Sequence, residues 1–368
     1  MKILFDTHSV DLKLTGIGRY WKNLINRLEF NKDIGICLYG NSHVKNDLKH
    51  SAYSPFMDNG VYRVLFGFNK SIQLFKPSLI HVSNFTPFTK TVPIVTTIHD
   101  LCFRTNTETF MLKSRLIFNL FFQKSLHQSD AIICVSNSVK DNLLKYYSID
   151  PNKIFTIYHG IDEMFKYDPN KQRVRQILKN KYSINNKYFL VVGDIIKRKN
   201  PFPVIKAFKN LLEKKSDVQL IFAGQNKMGN FIELKYKDMI SSNHLKILNH
   251  VGDSDLNLLY NGANTLIFNS FCEGFGLPII EAMNCKTPVI CNDIKIFREV
   301  ANNAAIFTKN EREIYLAMEK IISNQEFRKK YCELGYKRSR FYSWDKTAKQ
   351  TLEVYKWVLE SKKSSITK

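Results

Sequence analysis

A chain of 368 residues, 44% hydrophobic and 24% charged, is long enough to bury two cores, which excludes a disordered tail and a disulfide-stapled miniprotein. Its formal net charge of +22 divides into +6 over residues 1–170 (20 basic, 14 acidic) and +16 over 171–368 (35 basic, 19 acidic), a balance that favours anionic partners: nucleic acid, phosphorylated small molecules or an acidic membrane surface. No apolar run approaches the roughly 20 residues of a membrane span, Met1 leads straight into Ile3-Leu4-Phe5-Asp6 rather than a signal peptide, and seven scattered cysteines without a Cys-x-x-Cys pair read as reduced thiols, so a cytoplasmic location is expected.

Short β-branched or aromatic runs alternate with longer helical patterns along most of the chain. Strands are predicted at Lys2–Asp6, Ile94–Ile98, Ala131–Val135 and Ile154–Tyr158, then at Tyr188–Val192, Val218–Ala223, Lys246–Val251, Thr265–Phe268 and Pro288–Cys291. Apolar strands separated by helices imply parallel sheets covered on both faces, and two such series imply two doubly wound α/β domains. The pattern lapses between Asp162 and Arg173, which marks the join. Near the end, Trp344, Ala348, Leu352, Tyr355 and Leu359 recur at helical spacing and predict an amphipathic helix with one buried stripe.

Ligands of open parallel sheets bind beyond the carboxyl ends of the strands, so the residues just past each strand carry the chemistry. Thr15-Gly16-Ile17-Gly18-Arg19-Tyr20 comes after the first, His99-Asp100 after the second, Ser136-Asn137-Ser138 after the third and His159-Gly160-Ile161-Asp162 after the fourth; later come Gly193–Asn200, Gly224 and Asn269–Pro278. In Asn269-Ser270-Phe271-Cys272-Glu273-Gly274-Phe275-Gly276-Leu277-Pro278-Ile279-Ile280-Glu281, two glycines admit close backbone approach and Pro278 suits a first helical turn. A helix start of this kind favours anions. Glu281, placed in that first turn, suits the vicinal hydroxyls of a sugar or ribose, and Glu273 suits another sugar; stabilisation of the helix dipole and a solvated loop acid are their plain alternatives. Alone, Arg198 and Lys199 read as surface basicity, His99 as a core histidine, and Gly16 with Gly18 as a tight turn before a helix carrying Tyr20, Leu24 and Leu28, because Trp21 replaces the third glycine of a dinucleotide fingerprint. Asp253-Ser254-Asp255 reads as a helix cap rather than a metal site, Ser136 and Ser138 as caps, and Phe110–Leu126 either as a sheet-covering helix or as a membrane-surface helix.

The Glu273–Glu281 segment resembles the Glu-x7-Glu signature of retaining family 4 glycosyltransferases of the GT-B fold, and the resemblance extends over almost the whole chain. Gly16-Ile17-Gly18-Arg19-Tyr20 is similar to the glycine loop of the bacterial mannosyltransferase-like branch, Thr97-Ile98-His99-Asp100-Leu101 to its histidine motif, and Val192-Gly193 through Arg198-Lys199-Asn200 to its basic donor loop. The resemblance implies two Rossmann-like domains facing a cleft: an acceptor-side domain over 1–170, a nucleotide-sugar-binding domain over 171–341, and a helix over 342–362 that crosses back to the first. It implies that Arg198 and Lys199 neutralise the leaving diphosphate, Glu281 holds the ribose, Glu273 contacts the transferred sugar and His99 reaches it. Gly16, Gly18, Gly193, Gly274, Phe275, Gly276 and Leu277 complete the donor set.

The implied reaction is metal-independent, cofactor-free, retaining hexosyl transfer, with GDP-mannose first among donors and UDP-hexoses or UDP-N-acetylhexosamines next. The implied acceptor is a surface-polysaccharide or lipid-linked glycan, with peripheral contact at the acidic inner face of a membrane as an accompanying expectation. A UDP-sugar 2-epimerase of the same fold, or a basic nucleic-acid-binding protein, are the alternatives; no nucleic-acid module is present in the sequence, so nucleic acid is not an expected partner. Three residues depart from the family pattern: Lys286 stands where glycine is usual, Arg298 where proline is common, and Asp194 places an acid beside the donor loop.

Overall fold

The structure is a computed structural model that describes residues 1–8, 16–40, 51–53, 67–105 and 112–366. The chain divides into two compact units, Met1–Gly160 with Ser343–Lys368, and Ile161–Tyr342. Each is built on one all-parallel sheet.

In the first unit the strands are β1 (Lys2–Asp6), β2 (Gly35–Tyr39), β3 (Ser51–Tyr53), β4 (Leu79–Ser83), β5 (Ile94–Ile98), β6 (Ala131–Cys134) and β7 (Ile154–Thr156), in spatial order β3-β2-β1-β4-β5-β6-β7. Ile3, Leu4 and Phe5 are all fully buried, as a strand covered on both faces requires. The helix Gly16–Leu28 buries Tyr20, Trp21, Leu24, Ile25 and Leu28 against that sheet. The helix Trp344–Ile366 joins the same core through Trp344, Ala348, Val354, Tyr355 and Val358, with Leu352 and Leu359 packed at its margin. Gly160 makes that return possible: a Cβ there would stand 2.1 Å from the backbone nitrogen of Trp344.

The second unit holds β8 (Lys187–Val192), β9 (Val218–Ala223), β10 (Leu245–Ile247), β11 (Thr265–Phe268), β12 (Val289–Asn292) and β13 (Ile306–Thr308), in order β10-β9-β8-β11-β12-β13. The predicted strand Lys246–Val251 ends early, at Ile247, and Asn249 beyond it turns left-handed (φ 53°). Both sheets reverse strand order once, between β1 and β4 and between β8 and β11. Loops on either side of such a switch point diverge and leave a crevice at the strands' carboxyl ends.

Among the described residues no helix is long and apolar enough to cross a membrane. The predicted segment Phe110–Leu126 begins outside the described residues; from Leu112 it is helical to Gln128, burying Phe122 and Leu126 but leaving Leu120 exposed. The reduced-thiol expectation is met at five of the seven cysteines: Cys37, Cys134, Cys285 and Cys291 are buried free thiols and Cys332 a half-buried one.

Candidate active site

At the switch point of the second unit, the loop after β8 meets the loop after β11. Gly193, directly after β8, has φ 105°, a conformation that glycine alone adopts without strain, and a Cβ there would lie 3.2 Å from Lys199 Cε. The missing side chain is therefore the space that the Lys199 stem occupies. Gly224, after β9, is constrained in turn, because a Cβ on it would meet the Gly193 carbonyl oxygen at 2.2 Å. A single 3-10 turn, Lys197–Lys199, then presents Arg198 and Lys199 before left-handed Asn200 starts the helix Pro201–Leu212.

Four contacts stitch the loops together. The Phe271 N–H donates to the Arg198 carbonyl (2.9 Å), Asn269 Nδ2 donates to the Asn200 carbonyl (3.1 Å), Arg198 Nη1 donates to the Cys272 carbonyl (2.6 Å), and the Lys199 ammonium lies 4.3 Å from the centroid of the Phe268 ring. Glu273 Oε1 receives both cations, Arg198 Nη1 and Lys199 Nζ, each at 2.8 Å. The three side chains are 23%, 16% and 15% exposed for Arg198, Lys199 and Glu273, so they are shielded yet open to a ligand. Burial pushes the Glu273 carboxyl up, but Lys199 and Arg198 pull it down harder, and it stays ionised below its ordinary value of 4.5.

Beyond Glu273, Gly276 (φ 98°) precedes the helix Leu277–Asn284, with Pro278 in its first turn as predicted. Glu281 lies in the second turn, not the first. It is only 4% exposed, and the Tyr260 hydroxyl donates to its Oε2 at 2.8 Å, so the carboxylate is buried rather than presented to solvent. The Phe275 side chain is core, packed edge-on against Tyr342 at 5.5 Å, which leaves its backbone as the part available to a donor. Gly274 is buried and Leu277 half-buried.

The family departures have local explanations. Asp194 points its carboxylate to Lys227 and to the Gln225 N–H, and its ion-pair partner is Lys227 rather than Arg198 or Lys199. Lys286 occupies a left-handed position (φ 57°), which is where a glycine would be favoured, and its ammonium reaches Glu333 and the rings of Tyr167 and Tyr336. Arg298 pairs with Asp293. Asp253 and Asp255 sit in the first turn of the helix Asp253–Gly262, whose cap residue is Gly252, so they favour the helix dipole without capping it; Asp255 also accepts from Lys181 and Tyr182. Among the described residues no group of three His, Cys, Asp or Glu is placed to hold a metal. Ser136 does cap the helix Asn137–Tyr146, accepting from the Val139 N–H, while Ser138 lies within it.

In the first unit the switch-point neighbourhood is chemically different. Gly16 and Gly18 form the first turn of the helix Gly16–Leu28 rather than a loop before it, while Thr15 lies outside the described residues. His99, directly after β5, is 8% exposed; its Nε2 is 3.1 Å from Ser83 Oγ, and burial lowers its pKa to about 3. The ring is flanked by Tyr20, edge-on at 4.9 Å, and by His159, near-parallel at 5.8 Å. His81, in mid-strand β4, is also buried, and it and His159 are held well below their ordinary value, first by burial and then by His99. The sequence pattern does not single out His81, places Tyr355 only in the buried stripe of the C-terminal helix, and marks His159 only as a strand-end residue. The available signal was a histidine inside the apolar run Leu79-Ile80-His81-Val82, where an imidazole needs a buried partner.

The comparisons with known proteins point to one family. A family model described as glycosyltransferase family 4 matches residues 14–164, and one described as glycosyl transferases group 1 matches 174–338. The chain is similar to the O-antigen chain mannosyltransferase B of Escherichia coli, 27% identical over 385 residues and covering 97% of this chain and 100% of that one. Among solved structures it is similar to a sucrose-phosphate synthase from Thermosynechococcus elongatus (TM-score 0.81, 17% identity, 98% and 99% of the two chains covered). Another is Anabaena Alr3699/HepE in complex with UDP and glucose (TM-score 0.75, 17% identity, 97% and 99% covered). Two parallel-sheet units, the Gly193–Asn200 and Asn269–Leu277 loops at a switch point, and two family matches that together span most of the chain lead to one conclusion: this chain is a GT-B glycosyltransferase of family 4, in the bacterial mannosyltransferase-like branch.

Proposed function

We propose that the enzyme transfers mannose from GDP-mannose, with retention and without a metal ion, to a surface-polysaccharide or lipid-linked glycan. The observation that carries this reading is the convergence of Arg198 and Lys199 on Glu273 at the switch point of the second unit. Breaking a glycosyl phosphate bond develops negative charge on the departing diphosphate. Two cations held in a shielded crevice by a 3-10 turn stabilise that charge more in the transition state than in the bound donor. They supply the field that a divalent ion supplies in other transferases.

Glu273 serves the transferred sugar. Its oxygen is already shared by two cations and its pKa is depressed, which makes it a poor covalent nucleophile and favours front-face attack, with the leaving phosphate oxygen taking the acceptor proton. In this reading Glu281 binds the ribose hydroxyls through the carboxylate that Tyr260 orients, Gly193, Gly274, Phe275, Gly276 and Leu277 offer backbone to the phosphates, and Gly16 and Gly18 do the same from the start of their helix. His99 serves the sugar through Nδ1, because Nε2 is engaged by Ser83. The E. coli relative, named as an O-antigen mannosyltransferase, supports mannose and a polysaccharide acceptor. The Anabaena neighbour, solved with UDP and glucose, supports a nucleotide-linked hexose and keeps UDP donors as the second reading.

The test is transfer of labelled sugar onto a lipid-linked acceptor from GDP-mannose, UDP-glucose and UDP-N-acetylglucosamine, with and without EDTA. Transfer from GDP-mannose that survives EDTA is expected. Strict dependence on manganese or magnesium would overturn metal independence, and transfer from a UDP-sugar alone would overturn the donor.

A further inference from the structure

Two routes run from the returning helix Trp344–Ile366 to His99, both within the first unit. The first is a line of hydrogen bonds. The Tyr355 hydroxyl lies 2.5 Å from His81 Nδ1, His81 Nε2 lies 2.7 Å from Thr97 Oγ1, and Thr97 Oγ1 lies 2.9 Å from the Tyr20 hydroxyl. All four side chains are buried. The Tyr20 ring then meets the His99 ring in a T-shaped contact at 4.9 Å and 80°, and Thr97, in β5, is two residues before His99. The second route is a stack of rings. Trp344 lies 5.6 Å from His159 at 35°, and His159 lies 5.8 Å from His99 at 25°.

The proton count in the first route is informative. Three contacts join one imidazole and three hydroxyls, and a neutral His81 donates at one nitrogen and accepts at the other. Either Tyr355 donates to Nδ1 and Nε2–H donates to Thr97, or Nδ1–H donates to Tyr355 and Thr97 donates to Nε2, in which case Tyr20 donates to Thr97. Nothing in this line reaches solvent, and its burial keeps His81 neutral. Such a closed line rigidifies the groups it joins. His99 is thus held on one side by a phenol ring, on the other by an imidazole, and at Nε2 by Ser83, while Nδ1 makes no hydrogen bond to the described protein.

We infer that the Trp344–Ile366 helix is a positioning element for His99, acting through Tyr355–His81–Thr97–Tyr20 and through Trp344–His159, so that Nδ1 is presented in one orientation. Tyr355, His81, Thr97, Tyr20, Trp344 and His159 are positioning residues. The inference rests on the proposed function, in which His99 meets the sugar. It gives the terminal helix a task beyond burying its apolar stripe.

The test uses the full-length enzyme and the variants Tyr355→Phe, Trp344→Phe and His99→Ala. Tyr355→Phe removes one oxygen, and Trp344→Phe shortens the stack; folding of each is checked by its melting curve. With GDP-mannose as donor, the expected result is a kcat lowered roughly tenfold or more in the two positioning variants at unchanged donor KM, since small misplacements of a reacting group are costly. In a His99→Ala background the same substitutions should lower kcat no further. Histidine-selective nitrogen labelling gives a second readout that needs no donor: the His99 ring nitrogens should shift in both positioning variants. Full turnover by His99→Ala would remove the role of His99 itself. A crippled His99→Ala beside Tyr355→Phe and Trp344→Phe enzymes with normal kcat and unmoved His99 ring shifts would overturn the positioning inference alone.

Discussion

The two units bury ionisable groups in opposite ways. Around β4 and β5 the first unit takes three imidazoles out of water and leaves all of them neutral: His81 and His99 are bonded to hydroxyls, and His159 lies against the rings of His99 and Trp344. Between β8 and β11 the second unit keeps its ionised groups and pairs them, one carboxylate against two cations. Desolvation opposes charge in both places, but only the second supplies partners close enough to outweigh it. The difference suits the proposed chemistry, in which a sugar hydroxyl meets neutral donors and acceptors and a departing diphosphate meets fixed positive charge.

The largest expected effect comes from that division. Lys199→Ala should lower transfer from GDP-mannose by about 100- to 1,000-fold, the usual loss when one preorganised donor to a developing anion is removed. Its melting temperature should change little, because Arg198 still holds Glu273. Steady-state rates at saturating donor check it. A Lys199→Ala enzyme with normal kcat would break the comparison outright, since the paired charges would then be structural.

Acid should separate the units. An imidazole whose folded pKa lies below its ordinary 6.5 contributes stability that is present above 6.5 and is lost as pH falls through that value toward the folded pKa. Glu273, depressed below 4.5, contributes stability that is present above 4.5 and is lost only at lower pH. The first unit should therefore weaken between pH 6.5 and 4.5 while the second holds. With three imidazoles involved, the limiting slope is about 4 kcal/mol per pH unit. Trp21, Trp344 and Trp357 all belong to the first unit, so tryptophan fluorescence reports its unfolding selectively. A tryptophan transition unmoved from pH 7 to pH 5 would show that the buried imidazoles are already charged or already accessible.

Backbone substitutions sharpen the contrast at a smaller scale. Gly193→Ala should cost roughly 1–3 kcal/mol for the forced φ of 105° and should crowd Lys199, raising the KM for donor. Gly160→Ala should unfold the tryptophan-bearing unit at lower denaturant, because its Cβ has no room beside Trp344. Denaturation curves paired with donor titrations separate the two outcomes: affinity loss for the first, stability loss for the second.

How much of this the sequence shows differs between the units for a physical reason. The apolar runs of β8, β9 and β11 and the loops after β8 and β11 are read directly, because each motif is local, although the pairing of Arg198 and Lys199 with Glu273 is not. β4 escapes because His81 and Ser83 interrupt its run, and β2 because Gly35 opens a run of only five residues. The burial of Glu281 depends on Tyr260, on a different helix, so a first-turn dipole role looks equally good along the chain. The histidine cluster is the least legible part of the molecule. Its defining contact joins residues 274 apart, His81 and Tyr355, and no spacing rule links them.

Lys286 carries the smallest prediction. It lies just past the helix that bears Glu281, holds a left-handed backbone (φ 57°) and replaces the usual glycine. Glycine there should relieve about 1 kcal/mol of backbone strain. Against that gain, Lys286→Gly removes the ammonium that faces Tyr167 and Tyr336 at 5.0 and 4.9 Å and the pairing with Glu333, interactions worth about 0.5–1 kcal/mol at a partly exposed position. The two nearly cancel, so the melting temperature should move by no more than about 2 °C. Donor KM and kcat should stay at the wild-type value, because the turn is separated from Arg198, Lys199 and Glu273 by the Leu277–Asn284 helix. A change in donor KM without a change in melting temperature would show that this turn adjusts Glu281. The second unit's site would then extend beyond its paired charges to the end of that helix.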